Sequence, residues 1–219
     1  MRRKKPRAQR IMIIRHAEKP YVGHDGKNNG VRMDGSRSQE SLAVRGWQRA
    51  GALSLLFGSA EIAQSRGLSV PQHLYASDPE KADELGSKSR RPKQTLIPLA
   101  QRLELIICAD FIKGQETELC RDVLAQTGVV LISWQHELIP VIAAGIPGGK
   151  IPETQTWDDE RFDMVWVFDL LPGGTYRFKE VNQELLSGDL SSELAADLAA
   201  SQVAGTLSTP QPAALNINS

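Results

Sequence analysis

Two short apolar runs limit what this chain can fold into. Ile11–Ile14 is apolar on successive residues and Val129–Trp134 is broken only by Ser133, so neither has a polar face to turn to water. Such runs suit strands covered on both sides, as in a parallel sheet. Between and after them lie segments with helical periodicity. Leu42–Gln64 places Val44, Trp47, Ala50, Leu53 and Phe57 on one stripe, with Ser41 or Ser38 as its cap. Pro92–Leu103 reads as a helix with Pro92 in its first turn. Glu116–Gln126 and Leu138–Ala144 are further helices, and Leu74–Ser77 and Leu105–Cys108 are short strands. Phe162–Leu171 and Thr175–Val181 form a hairpin about Pro172-Gly173-Gly174. Alternating strands and helices predict an α/β fold. Its form is a three-layer sandwich, a central mostly parallel sheet with helices on both faces.

The expected organisation is a basic tail over residues 1–9, one domain over 10–186, and a helix with a disordered tail over 187–219. The 219 residues, 41% of them hydrophobic, suffice for such a core. Lys+Arg and Asp+Glu both number 26, and aromatics make up 5%. A chain with no basic excess and few stacking residues is not expected to bind nucleic acid. No apolar run approaches the roughly 20 residues of a membrane span, so no membrane partner is expected. Cys108 and Cys120 lack a CxxC spacing and read as free thiols of a cytoplasmic protein. A bridge between them stays open.

In such sheets, ligands bind at the carboxyl ends of the strands. Three of those ends carry reactive side chains: Arg15-His16, Ser77-Asp78 and Gln135-His136-Glu137. The basic cluster Ser89-Arg90-Arg91-Pro92-Lys93-Gln94-Thr95 enters a helix, a natural place for an anion. The stretch Ala17–Glu40 is polar and glycine-rich, and the loops Gly23–Glu40 and Gly145–Asp159 are where specificity would reside.

These residues, in this order, resemble the histidine phosphatase superfamily, the phosphoglycerate-mutase-like proteins. Arg15-His16-Ala17-Glu18 matches the family's first-strand signature, with Ala17 where Gly is common. Leu42-Ala43-Val44-Arg45-Gly46-Trp47-Gln48-Arg49-Ala50 matches its Leu-x-x-x-Gly-x-x-x-Ala helix start. Leu74-Tyr75-Ala76-Ser77, Arg91-Pro92-Lys93-Gln94-Thr95 and the strand leading into His136 complete the likeness.

The resemblance implies a phosphatase acting through a phosphohistidine on a small phosphorylated substrate. His16 would be the nucleophile, and Arg15, Arg91 and His136 would bind the phosphate. No cofactor or metal is required, because the arginines supply the positive charge. Neighbouring cations keep the His16 imidazole neutral and nucleophilic. The leaving oxygen needs a proton, for which Glu137 is the first candidate and Glu116 the alternative. A phosphoester-binding module without catalysis and a protein-phosphohistidine phosphatase are the competing readings.

Overall fold

The computed structural model of the protein describes residues 7–77, 79, 88–151 and 156–190. Residues 1–6, most of the Asp78–Ser89 loop, and the expected C-terminal helix and tail beyond Leu190 lie outside these. Six strands form one sheet: β1 (Ala8–Arg15), β2 (His73–Ala76), β3 (Ile107–Cys108), β4 (Gly128–Trp134), β5 (Met164–Leu170) and β6 (Tyr176–Asn182). Their order is β3-β2-β4-β1-β5-β6. Pairings β1 with β4, β4 with β2, and β2 with β3 are parallel. β5 runs antiparallel to both β1 and β6, which makes the sheet mixed and confirms the hairpin.

Side chains of a strand point alternately to opposite faces. In β1, Ile11 and Ile13 enter one core with Val130, Ile132, Trp166 and Phe168. That core is covered by Leu119 and Val123 of α4 (Glu116–Ala125) and by Ile139 and Ile142 of α5 (Ile139–Ala144). Met12 and Ile14 enter the other, with Leu131, Val165 and Val167. Leu53, Leu56 and Phe57 of α1 (Val44–Gly58) and Leu96 and Leu99 of α3 (Arg91–Leu103) cover that side, and Ala63 of α2 (Ala60–Ser65) joins them. The expected sandwich is therefore the observed one. Both cysteines are free thiols. Among the described residues, no helix is long and apolar enough to cross a membrane.

Several local expectations are corrected. The single helix Leu42–Gln64 is two helices, because Ser59 is extended and caps α2 through Ile62 N. α1 is not capped by Ser38 or Ser41. Ala43 stands at its N-cap, while Ser41 Oγ accepts from Gln94 Nε2. Val44, placed on the apolar stripe, is exposed where α1 projects beyond the core, and the buried face carries Arg49 instead. The polar Ala17–Glu40 stretch is folded. Bridges Val22 to Asn28 and Val31 to Arg37 close two small turns with Gly26 and Gly35 at positive φ, and Gly30 pairs with Ala43. Trp47 Nε1 donates to Val31 O at 2.8 Å and holds this loop on α1.

The helix α1 docks on the loop after β1 through Gly46. A Cβ there would come within 2.6 Å of the Glu18 carbonyl oxygen, while at Gly51 nothing lies within 4 Å. Gly46→Ala should therefore destabilise the chain by about 1–3 kcal/mol through overpacking against backbone. Gly51→Ala should stabilise it by up to about 1 kcal/mol through helix propensity. Urea midpoints of the two variants should move in opposite directions.

Candidate active site

The register of the central strands assembles the site. Arg15 pairs with Trp134 and Ala76 with Ser133, so three parallel strands end at one level. His16 N donates to Trp134 O at 3.0 Å, which sets His16 beside the chain that continues into Gln135 and His136. Gln135 Nε2 donates to Ser77 Oγ at 3.0 Å and ties β4 to the end of β2. From the α3 side, Thr95 Oγ1 accepts from Ala17 N at 2.9 Å and donates to Arg91 O at 2.8 Å. The first turn of α3 is thereby fastened to the residue after His16. Pro92 stands in that first turn, where its missing N–H costs nothing.

Arg15 is 1% exposed. Its Nη1 donates to the carbonyls of Asp159 and Arg161, and its guanidinium carbon lies 3.8 Å from the centroid of the Phe162 ring. Burial pulls its pKa down to about 10, against the raising influence of Asp159, Glu160 and Glu137. Among the described residues, Nε of Arg15 and Nε of Arg91 are buried without a hydrogen-bond partner. Arg91 Nη1 donates to Gln39 O at 3.0 Å. A buried guanidinium N–H without an acceptor is costly and satisfied by an incoming oxyanion. Arg90, by contrast, is exposed.

His16 is 4% exposed, with its Nδ1 2.8 Å from Ala17 O. A carbonyl oxygen only accepts, so the ring carries its proton on Nδ1 and a lone pair on Nε2. Burial lowers the His16 pKa to about 3, and Arg91, Arg15 and His136 push the same way. His136, in a single 3₁₀ turn (His136–Leu138), also has a lowered pKa, first through burial and then through Arg15. Its Nδ1 lies 3.2 Å from Glu137 Oε2.

The two carboxylates differ. Glu137 accepts from Lys113 Nζ at 2.7 Å. Burial raises its pKa, but the Lys113 hydrogen bond, the backbone and His136 outweigh that and leave it below the ordinary range. Glu137 acts on the charges of both Arg15 and Arg91 and so faces the site, though as a carboxylate rather than the protonated acid expected. Glu116 is buried at the start of α4, where its Oε1 accepts from Trp134 Nε1 at 3.0 Å and Gly114 N at 3.1 Å. Those contacts fix α4 to the end of β4. Glu18, whose side chain could also have served as an acid, is paired with Arg49 and Arg45. His24 is exposed on the loop and His73 begins β2.

Sequence reasoning passed over Phe162, the Asp159 and Arg161 carbonyls, and Lys113. The carbonyls carry no side-chain signature, and Lys113 is 24 residues from its partner Glu137. An aromatic between a basic and an acidic residue, in Arg161-Phe162-Asp163, was the one available signal.

No protein-family model matches the sequence, and neither does any curated protein. Among solved structures, the chain is similar to the protein histidine phosphatase SixA complexed with tungstate. The TM-score is 0.42 and the identity 13%, over 80% of this chain and 97% of that one.

The His16 shift has a consequence for stability. The unfolded chain takes up a proton at His16 near the ordinary 6.5, the folded chain only near 3. Between those values the unfolded state binds more protons, so stability falls as the pH is lowered through that window. His16→Gln should flatten that part of the acid dependence, read as urea unfolding free energies at about pH 7 and about pH 4.5.

Proposed function

We propose that this chain is a metal-independent phosphatase that acts on a small phosphorylated substrate through a phosphohistidine at His16. One observation carries the reading: a buried neutral imidazole with its proton held on Nδ1, flanked by two guanidiniums whose Nε atoms lack partners. Arg15 and Arg91 bind the phosphate oxygens, and His136, protonated once the phosphate dianion is bound, adds a third donor through Nε2 while Nδ1 faces Glu137. The Nε2 lone pair of His16 attacks phosphorus. The P–O ester bond breaks, and its electron pair leaves with the alcohol oxygen, which takes a proton. Water then attacks the phosphohistidine, the P–N bond electrons return to Nε2, and inorganic phosphate departs. The positive charge that forms on the phosphorylated ring is stabilised by the Nδ1–H to Ala17 O bond. Fixed donors aimed at developing charge supply the bulk of such catalysis.

Glu137 is the proposed proton donor to the leaving oxygen. A bound phosphate dianion places like charge against its carboxylate and competes for Lys113, both of which raise its proton affinity. The Lys113 contact also favours a second reading, a protein-phosphohistidine phosphatase. An imidazole leaving group can be protonated by solvent near neutral pH and has little need of a carboxylic acid.

His16→Ala should abolish turnover and the acid-labile phosphoenzyme seen on rapid quenching. Arg91→Ala should lower kcat/KM by about 10²–10³-fold, as loss of an oxyanion donor does. Phosphoenzyme formation in His16→Ala, or wild-type activity in Arg91→Ala, would contradict the scheme. Glu137→Gln should slow alkyl phosphates by about 10²–10⁴-fold and leave p-nitrophenyl phosphate nearly untouched. Equal rates of wild type and Glu137→Gln on phosphohistidine, with no alkyl phosphatase activity in wild type, would select the second reading.

A further inference from the structure

A buried ion network lies directly behind His16. Arg49 of α1 is 2% exposed. Its Nε and Nη2 donate to Glu18 Oε1 at 3.0 and 2.9 Å. Its Nη1 and Nη2 also donate to Asp189 Oδ2 and Oδ1 at 3.0 and 2.7 Å, and Nη1 reaches Gln183 Oε1 at 3.1 Å. Arg45, one turn earlier, lies 3.3 Å from Glu18 Oε1 and donates to Ser187 O at 2.5 Å. Two cations thus face two carboxylates, one next to the nucleophile's loop and one in the segment after β6. Asp189 is itself built in. Its Oδ2 accepts from Leu185 N and Leu186 N, and Leu190 N donates to Asp163 Oδ2.

Geometry couples this network to the chemistry of His16. The Ala17 carbonyl that holds the Nδ1 proton belongs to the same planar peptide as Glu18 N. The peptide before it is held by Ala17 N donating to Thr95 Oγ1. The peptide after it is held by Ala43 N donating to Glu18 O at 3.0 Å, and the two arginines hold the Glu18 side chain between them. Rotation of the plane would remove the acceptor from Nδ1 and free the proton to move to Nε2, which would block the lone pair.

We infer that Arg49 is a positioning residue: through Glu18 it sets the Ala17–Glu18 peptide plane and so the Nδ1–H tautomer of His16, with Asp189 of the C-terminal segment completing its charge. The inference rests on His16 being the nucleophile for its catalytic meaning, but the tautomer is a property of the protein alone. The segment 183–190 is on this view part of the active machinery rather than a tail.

Imidazole nitrogen NMR on protein labelled at its four histidines reads the tautomer directly, with His16→Gln assigning the His16 signals. Two variants are compared with wild type: Arg49→Met, and Asp189→Asn, which keeps an oxygen to cap Leu185 and Leu186 and so preserves the local fold. Wild type should show His16 protonated on Nδ1. Both variants should show a mixture of tautomers, and kcat on p-nitrophenyl phosphate should fall about ten- to a hundredfold, the scale of a misplaced reacting group. Inhibition by inorganic phosphate, which Arg15, Arg91 and His136 hold without a bond to His16, should change little, which a general loosening of the site would not allow. If Arg49→Met fails to fold, Asp189→Asn decides. A folded variant with the wild-type His16 signature overturns the inference, as does wild-type His16 protonated on Nε2. A wild type with the expected tautomer but no phosphatase activity leaves the positioning role standing and removes the functional reading.

Discussion

The structure turns on a full positive charge placed where water does not reach. Arg15 ends the central strand β1 and is almost wholly buried. Burying a guanidinium is expensive unless its donors are met. Two backbone carbonyls and the face of Phe162 meet part of that demand, and Nε is left over. The segment 159–162 is thereby drawn over the end of the sheet. Burial keeps the neighbouring imidazole neutral, with Arg91 and then Arg15 adding to it, so the cost of burying Arg15 and the neutrality of His16 share one origin in the water-excluded strand end.

The sheet makes this arrangement rigid. β1 and β4 are parallel and in register to their last residues, with the hydrogen bond from His16 N to Trp134 O as the final rung. A one-residue slip would exchange the two faces of β1 and send Ile11 and Ile13 into the wrong core. Packing on both faces therefore fixes where Arg15 and His16 emerge. Helices α1 and α3 lie on one face, α4 and α5 on the other, and each brings a polar residue to the shared strand ends: Arg49, Arg91, Glu116 and, through the turn before α5, Glu137.

Much of this was legible in the sequence. Apolar runs marked β1 and β4 because both faces of the sheet are covered. Pro92 marked the start of α3, and Pro172-Gly173-Gly174 marked the turn between β5 and β6. Arg15, His16, His136 and Glu137 were expected at one edge because strand ends meet there, and Arg91 because a basic cluster opens a helix; the roles given to them are proposals. The charge state of Glu137 did not, since it depends on Lys113 from a different loop. Nor did the break at Ser59, although Gly58-Ser59 is a helix-stop signal that the continuing apolar pattern masks. The greatest departure is Arg49. A charged residue on a helix reads as solvent-facing, and only partners 31 and 140 residues away make its burial possible.

The carbonyl of Arg161 has two donors: Nη1 of Arg15 at 3.4 Å and the indole Nε1 of Trp157 at 2.9 Å. Trp157 is itself buried, with its ring 5.3 Å from that of Trp166. An anion that drew the Arg15 guanidinium away from this carbonyl would change the polarity felt by one indole of a close pair. Tryptophan emission would then report occupancy of the arginine without any added label.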